Sequence, residues 1–373
     1  MNDQSQPKMY LRDRQVAIRK EMAKLDLDTL LLSKPTDIAY LTDFDSAHAL
    51  AVLTPDTLVV LMESHLKPQV KEQAPWVSAR FYNDDLGAAI VKCLLDCKAK
   101  RVGLDAEDVV LSQLMAISRG VGVTLKSERV EFVPSAGIMA HVRQIKDDNE
   151  VARIRAAVGI TEDAFLAVRA QIQAGQKENY LAGLLTFEMR SRSAEEVSFP
   201  VQVATGTNGA HAYHRSSDSV MAMGDAMILD WGAKYKGYCC DVTRTLFFGS
   251  VSSRLDKMHR IVLETLNSVL ELVRPGVTNR QVAQLANDLI EAAGYKLMHG
   301  IGHGVGRDYI ERPSFGLHET EEELQPGMVV CIEPGVYVPG VGGVRIEDVV
   351  RVTHCGNESL SNLDRTLEGN RII

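Results

Sequence analysis

At 373 residues, with 45% hydrophobic and 24% charged residues, the chain has the composition of an ordinary globular protein and the length of two domains. A formal net charge of −8 gives no electrostatic footprint for nucleic acid, and no run of about 18 apolar residues offers a membrane span. The opening MNDQSQPKMY has neither the basic nor the apolar region of a secretory signal, so a cytoplasmic location and small-molecule partners are expected, with no nucleic acid and no membrane.

In chain order, RDRQVAIRKEMAKL reads as a helix that leads through Asp26 to Asp28 into the apolar strand TLLLS. Ala49 to Thr54 and Thr57 to Met62 flank a Pro55-Asp56 turn and read as a hairpin. DLGAAIVKCLLDCKA is helical, RVGLD strand-like and VLSQLMAISRG helical again. This α/β alternation, placed at residues 1–140, carries no phosphate-binding glycine loop and no catalytic cluster, which suits a scaffold that caps a site or builds a dimer. The six cysteines form no pair of CxxC motifs and are expected to be reduced and structural.

The second domain, 141–373, begins at HVRQIKDD. A long amphipathic helix follows, with Val151, Ile154, Val158, Phe165, Val168 and Ile172 on one face. Asp147 or Asp148 can cap its start, and Gly175 suits its end.

Two later segments match each other. GDAMILDWGAKYKGYCCDV (224–242) and GMVVCIEPGVYVPGVGGVRIEDV (327–349) each run as a buried strand into a carboxylate, turn through glycines and return to a second carboxylate. The acids are Asp230 and Asp241 in the first copy, Glu333 and Glu347 in the second. The likeness extends upstream, where AGQKENYLAGLL from Ala174 resembles PGVTNRQVAQLA from Pro275, so a helix-helix-hairpin unit of about 100 residues occurs twice. Two such copies facing each other gather four carboxylates, which repel unless a cation neutralises them, so a metal site follows. A fifth candidate ligand, His303, lies between the hairpins in MHGIGHGVGRDYIERP, where glycines at 300, 302, 304 and 306 leave room for another backbone or a substrate.

LDWGAKYKGYCCDVTRT, GIGHGVG, LQPGMVVCIEPGVY and GVRIEDVV together resemble the pita-bread metallopeptidases, the family of methionine aminopeptidase, aminopeptidase P, prolidase and the metal-free creatinase. YLRDRQVAIRKEMAKLDLDTLLLSKPTDIAYLTDF resembles the start of the creatinase-type N-terminal domain, so the likeness covers nearly the whole chain and leans towards the proline-specific members. It implies an α+β protein, a creatinase-like α/β domain followed by a duplicated pita-bread catalytic domain. It also implies a dinuclear site in which Asp241 and Glu347 bridge both ions, Asp230 holds one, and His303 with Glu333 holds the other. Carboxylates and an imidazole suit Mn²⁺ and tolerate Co²⁺ or Zn²⁺. By the same resemblance Glu333 is the proton shuttle for a metal-bridging hydroxide that cleaves Xaa-Pro bonds. His299 and Tyr337 line the substrate pocket, Arg345 pairs with a metal-binding carboxylate, and the protein is a homodimer.

Two positions depart from the proline-specific pattern. The His expected seven residues after the ligand is Ile310, and the His expected about 17 before the first acid falls on Tyr213, with His214 beside it. Tyr213 can donate a hydrogen bond and a one-residue slip would give His214 the role; Ile310 can do neither. Three outcomes follow: His211, His214, His318 or Tyr309 compensates, the substrate is not an Xaa-Pro peptide, or the enzyme is weak. The alternatives to an Xaa-Pro dipeptidase or aminopeptidase P are a hydrolase of a small non-peptide amide or amidine, creatinase-like or ectoine-hydrolase-like, and a non-catalytic binding protein. A prolidase-type dipeptidase is favoured on overall length alone.

Overall fold

The apolar run Thr29–Leu32 is a fully buried strand, and the N-terminal unit is built outward from it. The computed structural model describes residues 8–46, 49–105, 114, 115, 117, 130–135 and 137–372, and the chain divides into two units, Met1–Arg143 and Gln144–Ile373. The helix expected at VLSQLMAISRG lies largely outside the described residues.

The first unit runs α1 (Met9–Lys24), β1 (Thr29–Leu32), α2 (Pro35–Thr42), β2 (Ala49–Leu53), β3 (Leu58–Glu63), α3 (Lys67–Gln73), β4 (Ala79–Tyr82), α4 (Leu86–Asp96), β5 (Arg101–Leu104), β6 (Glu131–Pro134) and α5 (Ile138–Arg143). Its strands form one mixed sheet in the order β4-β3-β2-β1-β5-β6. The hairpin around Pro55-Asp56 forms, closed by Thr54 N–H donating to Thr57 O. Strand alternation divides the core: Leu30 and Leu32 pack with Ile18, Met22 and Ile138 on one face, while Leu31 packs with Ile90, Val91 and Leu94 on the other.

The second unit opens with α6 (Asp148–Arg169), whose start is fixed by a capping box between Asp147 and Glu150. All six residues expected on its apolar face are buried. The helix stops at Arg169, short of Gly175, because the backbone tightens into Gln171 N–H to Val168 O and Ile172 N–H to Arg169 O bonds before Gly175 turns the chain with φ 86°.

After α6 come α7 (Glu178–Ser191), β7 (Glu196–Val197), β8 (Gln202–Thr205), β9 (Ala226–Trp231), β10 (Ala233–Tyr235), β11 (Tyr238–Cys239) and β12 (Val242–Phe248). The second copy has α8 (Ser253–Leu272), α9 (Asn279–Ala292), β13 (Gly302–Gly304), β14 (Glu311–Ser314), β15 (Val329–Ile332), β16 (Gly335–Val338), β17 (Gly342–Arg345) and β18 (Asp348–Val352), followed by β19 (Asn357–Ser359) and β20 (Arg371–Ile372). The duplication is visible in the sheets: β8-β9-β12 in one corresponds to β13-β15-β18 in the other, antiparallel throughout. Even the first residues of α7 and α9 correspond. Glu178 and Asn279 are each 1% exposed, and each gathers the loop beyond its own helix.

Backbone from both copies is stitched at the centre. Arg345 N–H donates to Thr245 Oγ1, Thr245 Oγ1 donates to Arg345 O, and Glu347 N–H donates to Thr243 O. Arg244 reaches from β12 to the start of β18, donating to Glu347 O, to Asp348 Oδ1 at 2.8 Å and to Leu363 O and Asp364 O; the Arg244 and Asp348 side chains are both 0% exposed. No helix among the described residues is long and apolar enough to cross a membrane.

Candidate metal centre

The acids sit where strands end. Asp230 is the penultimate residue of β9, Asp241 immediately precedes β12, Glu333 follows β15, and Glu347 immediately precedes β18. In the first copy the return is a two-residue turn, Lys236 and Gly237 both at positive φ, which sets Lys234 opposite Cys239 and brings Asp241 back beside Asp230. His303 lies on β13, squeezed between neighbours: a Cβ at Gly302 would stand 2.0 Å from Cys331 O, and one at Gly304 2.2 Å from Arg312 O. Only glycine at these two positions lets the strand enter.

All five candidate ligands converge. Asp230, Asp241 and Glu347 offer oxygens within 4.8 Å of one another, and so do the donors of His303, Glu333 and Glu347. His303 Nδ1 is 3.1 Å from Gly304 O and therefore carries the proton, leaving the lone pair of Nε2 aimed at Asp241 Oδ2 and Glu333 Oε1, each 3.6 Å away. Asp230 Oδ1, Asp241 Oδ1 and Glu347 Oε1 are buried with no hydrogen-bond partner. Orphaned carboxylate oxygens of this kind cost several kcal/mol unless an ion completes them, so the residues fit divalent cations.

Crowding shows in the ionisation of the cluster. Burial, reinforced by Glu347, Asp230 and Glu333, holds the Asp241 carboxyl well above the usual carboxylate range. Burial, with Glu333 and Asp230, pushes Glu347 up to about 8, against the opposing pull of His303 and of Thr243, whose hydroxyl donates to Glu347 Oε2 at 2.9 Å. Burial lifts Glu333 to about 7, opposed by Arg345.

Arg345 stands behind the cluster, 3% exposed. Its guanidinium donates to Asp230 Oδ2 at 2.6 Å, to Tyr337 OH at 2.9 Å, to Ala212 O and to Thr243 Oγ1. Tyr337 in turn meets His299 Nε2 at 2.7 Å. Burial drives His299 down to about 4, and Nδ1 faces Gly300 O at 2.6 Å, so the neutral ring protonates Nδ1 and accepts from the Tyr337 hydroxyl at Nε2. Both its nitrogens are engaged.

Asp230, Asp241, His303 and Glu333 lie in the wall of a cavity of about 870 Å³. Tyr213, His214 and Ile310 share that wall, whereas Glu347, Arg345, Tyr337 and His299 are not among its lining residues. Tyr213 is 85% and Ile310 52% exposed. Phe199, Pro200, Val201 and Tyr309 make an apolar side, with the Phe199 and Tyr309 rings 5.2 Å apart. His214 is tied through Nε2 to Glu178 Oε2 at 2.8 Å. Burial pushes Glu178 up, but hydrogen bonds from Asn208, Thr205 N–H, His214 and Ser217 pull it below the ordinary carboxylate value, so it stays ionised and anchors the 205–217 loop. Sequence reasoning overlooked Glu178 and Thr243. The only signals for them were the match of Glu178 to Asn279 between the copies and the hydroxyl two residues after Asp241.

A duplicated fold that closes two carboxylate hairpins and one imidazole around a cavity defines a metal-dependent hydrolase. The profile of metallopeptidase family M24 matches residues 152–354, that of the creatinase/prolidase N-terminal domain matches 14–145, and the chain belongs to metallopeptidase family M24. The Xaa-Pro dipeptidase of Pyrococcus furiosus is 28% identical over 360 residues, covering 96% of this chain and 100% of its own. The solved structure of an Xaa-Pro dipeptidase from Bacillus anthracis is similar with a TM-score of 0.89 at 29% identity, covering 96% of this chain and 99% of that one. An X-Pro aminopeptidase from Thermotoga maritima gives 0.84 at 30% identity, covering 93% and 99%.

Proposed function

We propose that the protein is an Xaa-Pro dipeptidase working with two divalent ions held by Asp230, Asp241, His303, Glu333 and Glu347. The observation that carries this reading is the set of three orphaned carboxylate oxygens beside a cavity with an apolar side. Bound ions would polarise the scissile carbonyl and acidify a water. Glu333, beside such a water, would take its proton and return it to the proline nitrogen, which must be protonated to leave. The Phe199 and Tyr309 side of the cavity suits a proline ring. With both ring nitrogens of His299 engaged and His214 tied to Glu178, we read these two as positioning groups rather than proton carriers. Tyr213 is left as the exposed hydroxyl able to meet a substrate, Tyr337 and Arg345 as the support of Asp230, and Ile310 as an apolar contact.

Hard oxygen donors and one imidazole suit Mn²⁺ and tolerate Co²⁺ or Zn²⁺. The unpaired cysteines suit a reducing cytoplasm, and a homodimer follows from the resemblance. Ile310, where an imidazole would serve an Xaa-Pro substrate, supports a second reading on the same centre, hydrolysis of a small non-peptide amide. Rates with Mn²⁺ on Xaa-Pro dipeptides, their non-proline counterparts, longer Xaa-Pro peptides and simple amides separate these readings. Preference for Xaa-Pro dipeptides is expected, and rates indifferent to proline would overturn it.

A further inference from the structure

One soft donor sits among the hard ones. Cys331 on β15 is paired directly with His303 on β13, so the two side chains project from the same face of the sheet. Its sulfur is fully buried, 3.9 Å from Asp241 O. Asp241, His303 and Cys331 bring donor atoms within 4.8 Å of one another, and Asp241 contributes a buried oxygen with no partner. Nitrogen, oxygen and sulfur ligands of a tetrahedral ion, at roughly 2.0–2.3 Å from it, stand about 3.3–3.8 Å apart, so a small side-chain rotation closes this set.

We propose that Asp241, His303 and Cys331 form a second coordination mode at the inner edge of the centre, selective for thiophilic ions such as Cd²⁺ and Zn²⁺. The proposal rests on reading Asp241 and His303 as ion ligands. Thiolate sulfur selects soft ions, whereas Mn²⁺ is served by the carboxylates. As the sulfur–metal bond forms, the thiol proton leaves to water. An ion drawn towards Cys331 occupies Asp241 and His303 at the expense of the working arrangement, so it inhibits where Mn²⁺ activates.

The test uses the metal-stripped full chain, titrated with Cd²⁺ while the ultraviolet thiolate-to-cadmium charge-transfer absorption is followed, beside a Mn²⁺ titration followed by electron paramagnetic resonance. Wild type and Cys355→Ser, which alters the exposed cysteine, are expected to develop the band. Cys331→Ser and Cys331→Ala are expected to lose it, with Cd²⁺ affinity lowered roughly 10- to 100-fold and Mn²⁺ binding kept. Two variants guard against one failing to fold. An unchanged band in both Cys331 variants, or Cd²⁺ bound to wild type without a band while Mn²⁺ still binds, overturns the proposal and leaves the metal centre standing. Failure of wild type to bind either ion overturns both.

Discussion

Stripping the ions should make the catalytic unit lose stability as pH rises from about 5 to 7, opposite to the usual behaviour of paired carboxylates. In the unfolded chain Glu333 and Glu347 release their protons near the ordinary carboxylate value, whereas in the metal-free fold they hold them to about 7 and about 8. These two carboxyls, with Asp241 held up beside them, outweigh the opposite contribution of His259 and His299, whose imidazoles burial depresses in the fold, so stability falls with pH by about 1.4 kcal/mol per unit for each net proton retained. Glu347 alone removes about 3 kcal/mol over two units, a large share of the roughly 5–15 kcal/mol that holds a domain folded. Trp231 reports on the right unit: it is fully buried, adjacent to Asp230 and stacked on Phe165 at 4.9 Å. Trp76→Phe leaves it as the only indole. Urea midpoints from its fluorescence should fall with pH in the stripped protein. Mn²⁺ should raise them more at the alkaline end, because binding the ion releases the protons. Glu347→Gln should flatten the slope by about 1.4 kcal/mol per pH unit. Stripped midpoints that stay level or climb between these pH values, or a Mn²⁺ gain equal at both ends, would refute the reasoning.

Arg345→Leu, which leaves Asp230 Oδ2 and Tyr337 OH without their shared donor, should weaken Mn²⁺ binding about 10- to 100-fold by calorimetry; an unchanged Kd contradicts the supporting role. Glu333→Gln should lower kcat by about 10² to 10⁴ with circular dichroism unchanged, and a variant of near-normal rate would remove Glu333 from proton transfer. Ile310→His, at a half-exposed position on the cavity wall, should raise kcat/KM on Xaa-Pro dipeptides by about tenfold or more. No gain would favour the non-peptide reading.

The acid hairpins were legible because two local rules coincide there: apolar runs of strand length end in a carboxylate, and glycines supply the turn. Asp147 was legible for the same reason, since a cap acts within three residues. What escaped depends on partners far along the chain. Glu178 looks like an ordinary acid in the first turn of a helix, and its importance comes from Thr205, Asn208, His214 and Ser217, all 27 to 39 residues away. Arg345 was placed beside a metal-binding carboxylate by resemblance, and Tyr337 lies across its own hairpin on β16, but its bond to Ala212 reaches back to a loop that no periodicity joins. The stop of α6 at Arg169 shows that a glycine marks where the chain turns, which need not be where the helix ends.

The bonds made by Arg244 bear on the timing of synthesis. Of its acceptors, only Thr243 O is a neighbour; Glu347, Asp348, Leu363 and Asp364 all emerge from the ribosome more than 100 residues later. Until they arrive, the Arg244 guanidinium lacks the acceptors that hold it in the finished fold. The segment from Glu347 to Asp364 thus acts as the latch on the first acid hairpin.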